Sequence, residues 1–464
     1  MSPDDNSGKE SNEKKKSNNA EVEKLLQKAY EPARLAKIYH PFYEGKIEVV
    51  PKCPIHDFND FAIWYTPGVA EPCKIINKDP EEAYHQTNKW NNVAVVTDGT
   101  RVLGLGDIGP EAGLPVMEGK ALLFKYLGGV DAFPICLNTK DPEKIIETVK
   151  LLQPSFGGIN LEDISQPKCF RILEKLRVEC EIPVWHDDQQ GTAAIVTSGV
   201  INAVKLAGKK LNEVKIVLNG AGAANIATAR VLTVAGADLK NLVMLDSKGV
   251  LHPGRSDIDK VAWKEKWWIA TESNKEGLTG HLDEAIKGAD VLVAASKPGP
   301  GTIKPDSIRL MADDAIVFPV ANPIPEIWPW EAKEAGALVI GTGRSDFPNQ
   351  VNNSLGFPGI FRGALDIKAK TITDEMCVAA SKELAKIAED KGLTPEYIIP
   401  NMDEWEVFPR EAVAVALKGI EQDVARIKHS KQELFEKAEA MIKRAREQTK
   451  CLMSQGFIKP FPKA

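Results

Sequence analysis

The sequence predicts an α/β protein: a Rossmann-type dinucleotide-binding domain, an N-terminal α/β catalytic domain, and helices at the carboxy terminus. Three observations predict it. From Asn91 onward, short apolar runs bounded by turn residues alternate with helical patterns. A glycine-rich stretch, Asn219-Gly-Ala-Gly-Ala-Ala-Asn225, follows one such run and opens a helix. Two acidic pairs, Glu162-Asp163 and Asp187-Asp188, stand where strands should end.

The elements follow in order. Residues 1–20 are Ser-, Asn-, Lys- and Glu-rich and nearly free of apolar side chains, so a disordered tail is expected, with Lys14-Lys-Lys16 as solvated charge. Helical spacing of Val22, Leu25, Tyr30, Ala33 and Leu35 predicts a helix over about 20–38. Strands are expected at 93–96, 132–137, 158–161 and 183–185, with helices at 117–127, 142–152 and about 167–179 between them. A helix over about 191–207 leads to strand 214–218, the glycine loop and a helix through Ala235. Later strands are 242–245, 291–295, 315–318 and 338–340. Near the end, Val413, Leu417, Ile420, Val424 and Ile427 form one apolar helical stripe, continued more weakly by Leu434, Ala438 and Met441. The expected domains are 21–188 (catalytic), 189–370 (dinucleotide-binding) and 371–464 (helical).

A chain of 464 residues is too long for one core, which agrees with two domains. A net charge of -6 argues against a general nucleic-acid or membrane-surface role, and no apolar run is long enough to span a bilayer. The amino terminus has no apolar signal region, so a cytoplasmic protein is expected. The seven scattered cysteines, none in C-x-x-C spacing, read as reduced thiols.

The glycine loop points to NAD or NADP. Gly220 permits the tight turn, and Gly222 lets backbone N–H groups approach a pyrophosphate at the helix N-terminus, beside Ala223. Asn225 holds the third position, where glycine or alanine is usual. Asp246 closes the next strand and would accept from an adenosine ribose, favouring NAD; Lys248 and Arg255 nearby would suit a 2′-phosphate and keep NADP open. Glu162, Asp163 and Asp188 offer an all-oxygen site for Mg²⁺ or Mn²⁺, although each pair would equally cap a helix. Lys120 lies in a helix that otherwise reads as buried, where an apolar wall would lower its pKa toward that of a base. Tyr65 precedes a Pro-Gly turn, and its phenol is a candidate proton donor.

Together these strings resemble the malic enzyme family in its short bacterial and archaeal form. The matching pieces are Tyr65-Thr-Pro-Gly-Val-Ala, Val96-Thr-Asp-Gly-Thr-Arg, Glu118-Gly-Lys120, Asn160-Leu-Glu-Asp-Ile164, Trp185-His-Asp-Asp-Gln-Gln-Gly-Thr-Ala193, the glycine loop, Ala321-Asn-Pro323 and Asn352-Asn353. The resemblance implies oxidative decarboxylation of L-malate to pyruvate and CO₂ by a homodimer, with NAD(P)⁺ reduced. It implies Lys120 as the general base, Tyr65 as the acid that protonates C3, and Asp187 as the partner of the lysine. It further implies Glu162, Asp163 and Asp188 as metal ligands, Arg101 on a substrate carboxylate, and Asn322 and Asn353 near substrate and nicotinamide. Two other classes compete: a metal-independent two-domain amino-acid dehydrogenase, and a non-catalytic nucleotide sensor.

Overall fold

The computed structural model describes residues 31–463. The expected tail and the first part of the 20–38 helix lie outside the described residues. The larger compact unit is Val49–Lys450. In the smaller, residues 31–43 are helical, Tyr39 stacks on Phe461 at 4.7 Å between ring centroids, and the Tyr43 hydroxyl donates to the Lys459 carbonyl at 2.8 Å.

Two parallel-stranded sheets organise the larger unit. The first has the order β2-β1-β3-β4, from β1 (Asn92–Thr97), β2 (Asp131–Cys136), β3 (Gly158–Leu161) and β4 (Val184–His186). The second has the order β10-β9-β8-β5-β6-β7. Its strands are β5 (Ile216–Asn219), β6 (Leu242–Asp246), β7 (Gly249–Val250), β8 (Val291–Ala294), β9 (Ala315–Pro319) and β10 (Ala337–Ile340). All pair in parallel except the short β7, which is antiparallel to β6. Strands such as Val291–Ala294 are apolar at every position because helices cover both faces.

Local chemistry sets the helix ends. Asp141 caps the helix Pro142–Leu152 by accepting from the Glu143 N–H at 2.9 Å, with proline at the first position. Gly129, at φ +62°, ends the helix Pro110–Gly128. The helix Thr192–Leu206 is almost wholly buried and packs against Ala223–Ala235 and Asp374–Lys391.

Two expectations need correction. The helix placed at 117–127 starts earlier, at Pro110, and runs through Pro115. The single stripe through Val424 and Ile427 is broken: the helix Val407–Glu421 stops, and Asp423 turns to φ +57°. Val424 then folds back, its carbonyl accepting from the Lys370 N–H at 2.9 Å, and Ile427 donates to the Ile367 carbonyl. A separate helix, Lys431–Ser454, buries Leu434, Ala438, Ile442 and Ala445, and Met441 is only partly buried. Apolar spacing persisted across the break because both segments cover the same core.

Glu411 stands out in that core. It is fully buried against Gly356 and Gly359, and neither carboxylate oxygen has a hydrogen-bond partner among the described residues. Burial, with some help from Glu383, pushes its carboxyl well above the usual range. A carboxyl raised by folding contributes stability fully below its unfolded pKa and loses it as pH rises through the folded one. Glu411→Gln is therefore expected to melt above the parent at pH 8–9, with the gap closing toward pH 5. Parallel melting curves at both pH values would contradict this.

Candidate active site

The first sheet gathers the acids. Glu162 and Asp163 follow β3, Asp187 and Asp188 follow β4, and these neighbours pair Leu161 with His186, so both acidic pairs emerge side by side at the carboxyl ends of parallel strands. Asp187–Gly191 forms a π-helical turn, a widened geometry often found at functional positions. Gly191 is required there, since a Cβ would lie 2.0 Å from Asp187 Oδ1.

Asp187 and Lys120 form a buried pair, with Nζ 2.6 Å from Oδ2. Nζ also lies 3.1 Å from Glu162 Oε1 and 4.4 Å from the centroid of the Phe357 ring. The expected lowering of the Lys120 pKa is not what this geometry produces. Burial opposes the charge, but Asp187 and Glu162 outweigh it and hold the ammonium form above its ordinary range. The apolar wall read from the helix is real, yet carboxylates from two other elements complete the pocket.

Glu162, Asp163 and Asp188 present carboxylate oxygens within 4.8 Å of one another. Burial and the neighbouring Asp188 push Asp163 up to about 8, and burial likewise raises Glu162. Asp163 Oδ2 is buried without a hydrogen-bond partner, and its backbone sits at φ +54°. Its N–H donates to Asp188 Oδ2 at 2.9 Å. Crowded hard oxygen donors, one of them orphaned, fit a divalent cation such as Mg²⁺ or Mn²⁺.

The remaining predicted residues divide. Arg101 is exposed, but its N–H donates to the Asp163 carbonyl at 2.9 Å, which places it at the rim of the acids. Asn353 borders the π-turn, with its Cβ 3.3 Å from where a Gly191 Cβ would stand. The Asn322 carbonyl lies against Gly104, which belongs to the loop after Arg101, at 2.9 Å from a Cβ built there. Tyr65 is not brought in: it is 70% exposed, and its hydroxyl makes no hydrogen bond among the described residues.

At the second sheet, Gly220 has φ +106°, and a Cβ would strike the Ala295 carbonyl oxygen at 2.4 Å. A Cβ on Gly222 would meet nothing within 4 Å, leaving the space a pyrophosphate needs at the start of the helix that begins at Ala223. Asn225 braces the loop in place of a third glycine, donating to the carbonyls of Asn219 (3.1 Å) and Gly220 (2.9 Å). Asp246 closes β6 and is gripped by Arg255, whose Nη1 and Nη2 lie 3.2 Å away, and by the Lys248 N–H at 2.9 Å. Arg255 also holds Asp257, as does Lys248. Although burial opposes it, this grip keeps the Asp246 carboxyl below its ordinary range.

Sequence reasoning missed four supports. Trp185 Nε1 donates to Asp187 Oδ1 at 3.1 Å, and Asn160 Nδ2 donates to Glu162 Oε2 at 2.8 Å. Each stands two residues before its acid along a strand, so the period-two rule would have found both. Phe357, far away in sequence, gave no such signal. Neither did Glu326, which accepts from the Ser296 N–H (2.8 Å) and the Ala321 N–H (3.2 Å) and so ties the loops leading to Asn322.

Two stretches of the chain match known families. Residues 44–177 match the family described as malic enzyme, N-terminal domain, and residues 189–420 match malic enzyme, NAD binding domain. The chain is 50% identical over 382 residues to the NAD-dependent malic enzyme of Geobacillus stearothermophilus, covering 82% of this chain and 78% of that protein. It is 44% identical over 397 residues to the NADP-dependent malic enzyme of Halomonas elongata, covering 82% of this chain and 92% of that one. Among solved structures, the malic enzyme of Entamoeba histolytica superposes with a TM-score of 0.91 at 49% identity, covering 94% of this chain and 91% of that one.

Proposed function

The chain belongs to the malic enzyme family and catalyses oxidative decarboxylation of malate with a nicotinamide cofactor, and from that premise we propose that the buried cluster around Lys120 and Asp187 carries the chemistry. The observation behind this reading is the convergence of three crowded carboxylates on one lysine–aspartate pair. Glu162, Asp163 and Asp188 would hold Mg²⁺ or Mn²⁺, which when bound supplies Lewis-acid polarisation of substrate oxygens. With Glu162 turned to the cation, its hold on the ammonium group at 3.1 Å would be relaxed, and Lys120 would then take the proton of the C2 hydroxyl as C2 is oxidised. Asp187, held by Trp185, keeps Lys120 aimed. Arg101 clamps a malate carboxylate, while Asn322 and Asn353 orient substrate and nicotinamide. Tyr65, exposed and outside the cluster in the single chain, would reach it on assembly of a homodimer and there give a proton to C3 once CO₂ has left, completing pyruvate.

Gly220, Gly222, Ala223 and Asn225 would seat the pyrophosphate. For the adenosine end we favour NAD. Asp246 is ionised and aimed by Arg255, ready to accept from a ribose diol, whereas a 2′-phosphate would meet the carboxylates of both Asp246 and Asp257. The catalytic part would span 21–188 and the nucleotide part 189–370.

A homodimer suits the segment around Tyr65. Phe58, Phe61, Ile63, Trp64, Val69 and Ile75 are all exposed there, an apolar face of the kind that marks an interface, and paired identical chains are the commonest assembly. Free cysteines suit a reducing cytoplasm.

The test is an assay of malate with Mn²⁺ and either NAD⁺ or NADP⁺, detecting pyruvate. Pyruvate is expected with both, and kcat/KM about tenfold or more higher with NAD⁺. Asp246→Ser should narrow or reverse that ratio by freeing Arg255. No pyruvate with either nucleotide, or turnover indifferent to chelation of the metal, would count against the reading.

A further inference from the structure

A cavity of about 460 Å³ lies beside the turn Asp187–Gly191, which contributes Gln189 to its lining. One wall is the helix Lys168–Glu179; the others are the helices Ala223–Ala235 and Lys264–Glu272. None of the residues assigned above to malate, metal or nucleotide lines it.

Its chemistry is amphipathic. Phe170, Leu173 and Trp268 supply apolar surface, and Arg177 and Arg230 supply guanidinium groups. These two share one carboxylate: Asp374 Oδ2 is 2.6 Å from Arg230 Nε, and Oδ1 is 3.4 Å from Arg177 Nη1. The sharing is incomplete. Arg230 Nη2 is buried with no hydrogen-bond partner among the described residues, while Nε meets Asp374 Oδ2 as a close ion pair. A buried donor left unanswered carries a desolvation cost. Lys264 is already paired with Glu174, and Glu265 lines the same cavity within electrostatic reach of Arg230, with no hydrogen bond between them among the described residues. Two guanidiniums share one carboxylate beside an apolar wall, so Arg230 keeps a buried donor to offer.

We propose that this cavity binds a small organic monocarboxylate with an apolar body, at a site separate from those for malate and dinucleotide. The carboxylate lies between Arg177 and Arg230, and the body packs on Phe170, Leu173 and Trp268. A carboxylate gives the Arg230 donor a charge-assisted hydrogen bond, which a neutral alcohol cannot. Gln189 connects the cavity to the chemistry. It lines the wall, follows Asp188 in the chain, and donates to the Cys169 carbonyl at 3.3 Å. An occupant touching Gln189 bears on the turn that carries Asp187 and Asp188, so the cavity is placed to act as an effector site.

The experiment is calorimetric titration of the full-length protein with 4-phenylbutyrate, with Mn²⁺, NAD⁺ and pyruvate saturating so that the catalytic cleft is filled without turnover. One site per chain is expected, and 4-phenylbutanol should not bind. Arg230→Gln should weaken binding about tenfold or more. Val178→Trp, at the exposed rim of the cavity, should block entry without altering its charges. Both variants should keep the parent melting temperature and malate turnover measured without the ligand. The proposal is overturned if NAD⁺ or pyruvate displaces phenylbutyrate, if the alcohol binds equally, or if both variants bind as the parent does. It is also overturned if no heat appears up to about 10 mM ligand.

Discussion

Replacing Lys120 with alanine is expected to lower malate turnover by about 10²–10⁴-fold, the span usual for a lost general base. It should also destabilise the protein. Asp187 is completely buried, Glu162 nearly so, and both face the ammonium group, at 2.6 and 3.1 Å. Removing the cation strands them, and breaking a buried pair on one side typically costs about 3–5 kcal/mol. Lower activity in Lys120→Ala alone would thus be ambiguous, and Lys120→Arg separates the causes. Arginine keeps the positive charge but cannot release a proton near neutral pH. It should recover much of the melting temperature lost in the alanine variant while turnover stays low. NAD⁺ binding, followed by calorimetry, should survive in both, because the glycine loop is built on a different sheet. Turnover in Lys120→Arg close to that of the parent would remove proton transfer from the role of this residue.

That the pair exists was legible only in part. Buried parallel strands declared themselves as short apolar runs, and strand ends told where acids would gather. Helical spacing placed Lys120 on a buried face. It could not show that two carboxylates, Asp187 and Glu162, would cross from neighbouring strands to meet it, so the sign of its pKa shift was misjudged. Spacing also failed at Asp423. The break there carries no glycine or proline, because aspartate itself tolerates the left-handed conformation, and the apolar period ran through it unmarked. Asn225 is the converse. Against the fingerprint it reads as a defect, but in space its amide secures the turn that a glycine would merely have allowed. Tyr65 was singled out by its place before a Pro-Gly turn and by resemblance, and the structure leaves it exposed, outside the cluster around Lys120.

Asp187 and Asp188 are adjacent in sequence but should respond oppositely to the same substitution. Asp188 keeps about a third of its side chain open, accepts the Asp163 N–H, and stands within the 4.8 Å group of carboxylate oxygens. Asp187 has no exposure, and its two oxygens are taken by Trp185 and Lys120. Asp188→Asn is therefore expected to weaken Mn²⁺ binding by more than the 10–100-fold typical of groups that only support a ligand. Asp187→Asn should leave the Mn²⁺ midpoint within a few-fold and act on turnover through Lys120. Stability gives an independent reading. In the metal-free protein three carboxylates repel at close range, so removing one charge in Asp188→Asn should raise the melting temperature in chelator. Adding Mn²⁺ should reverse the ranking. A ligand at about a hundred times its Kd stabilises the state that binds it by about 2.7 kcal/mol, and the parent should gain nearly all of this while the variant gains little. The two melting temperatures should cross as Mn²⁺ is titrated. If they run in parallel, Asp188 is not a ligand, and the crowding of acids at the end of the first sheet needs another cation to explain it.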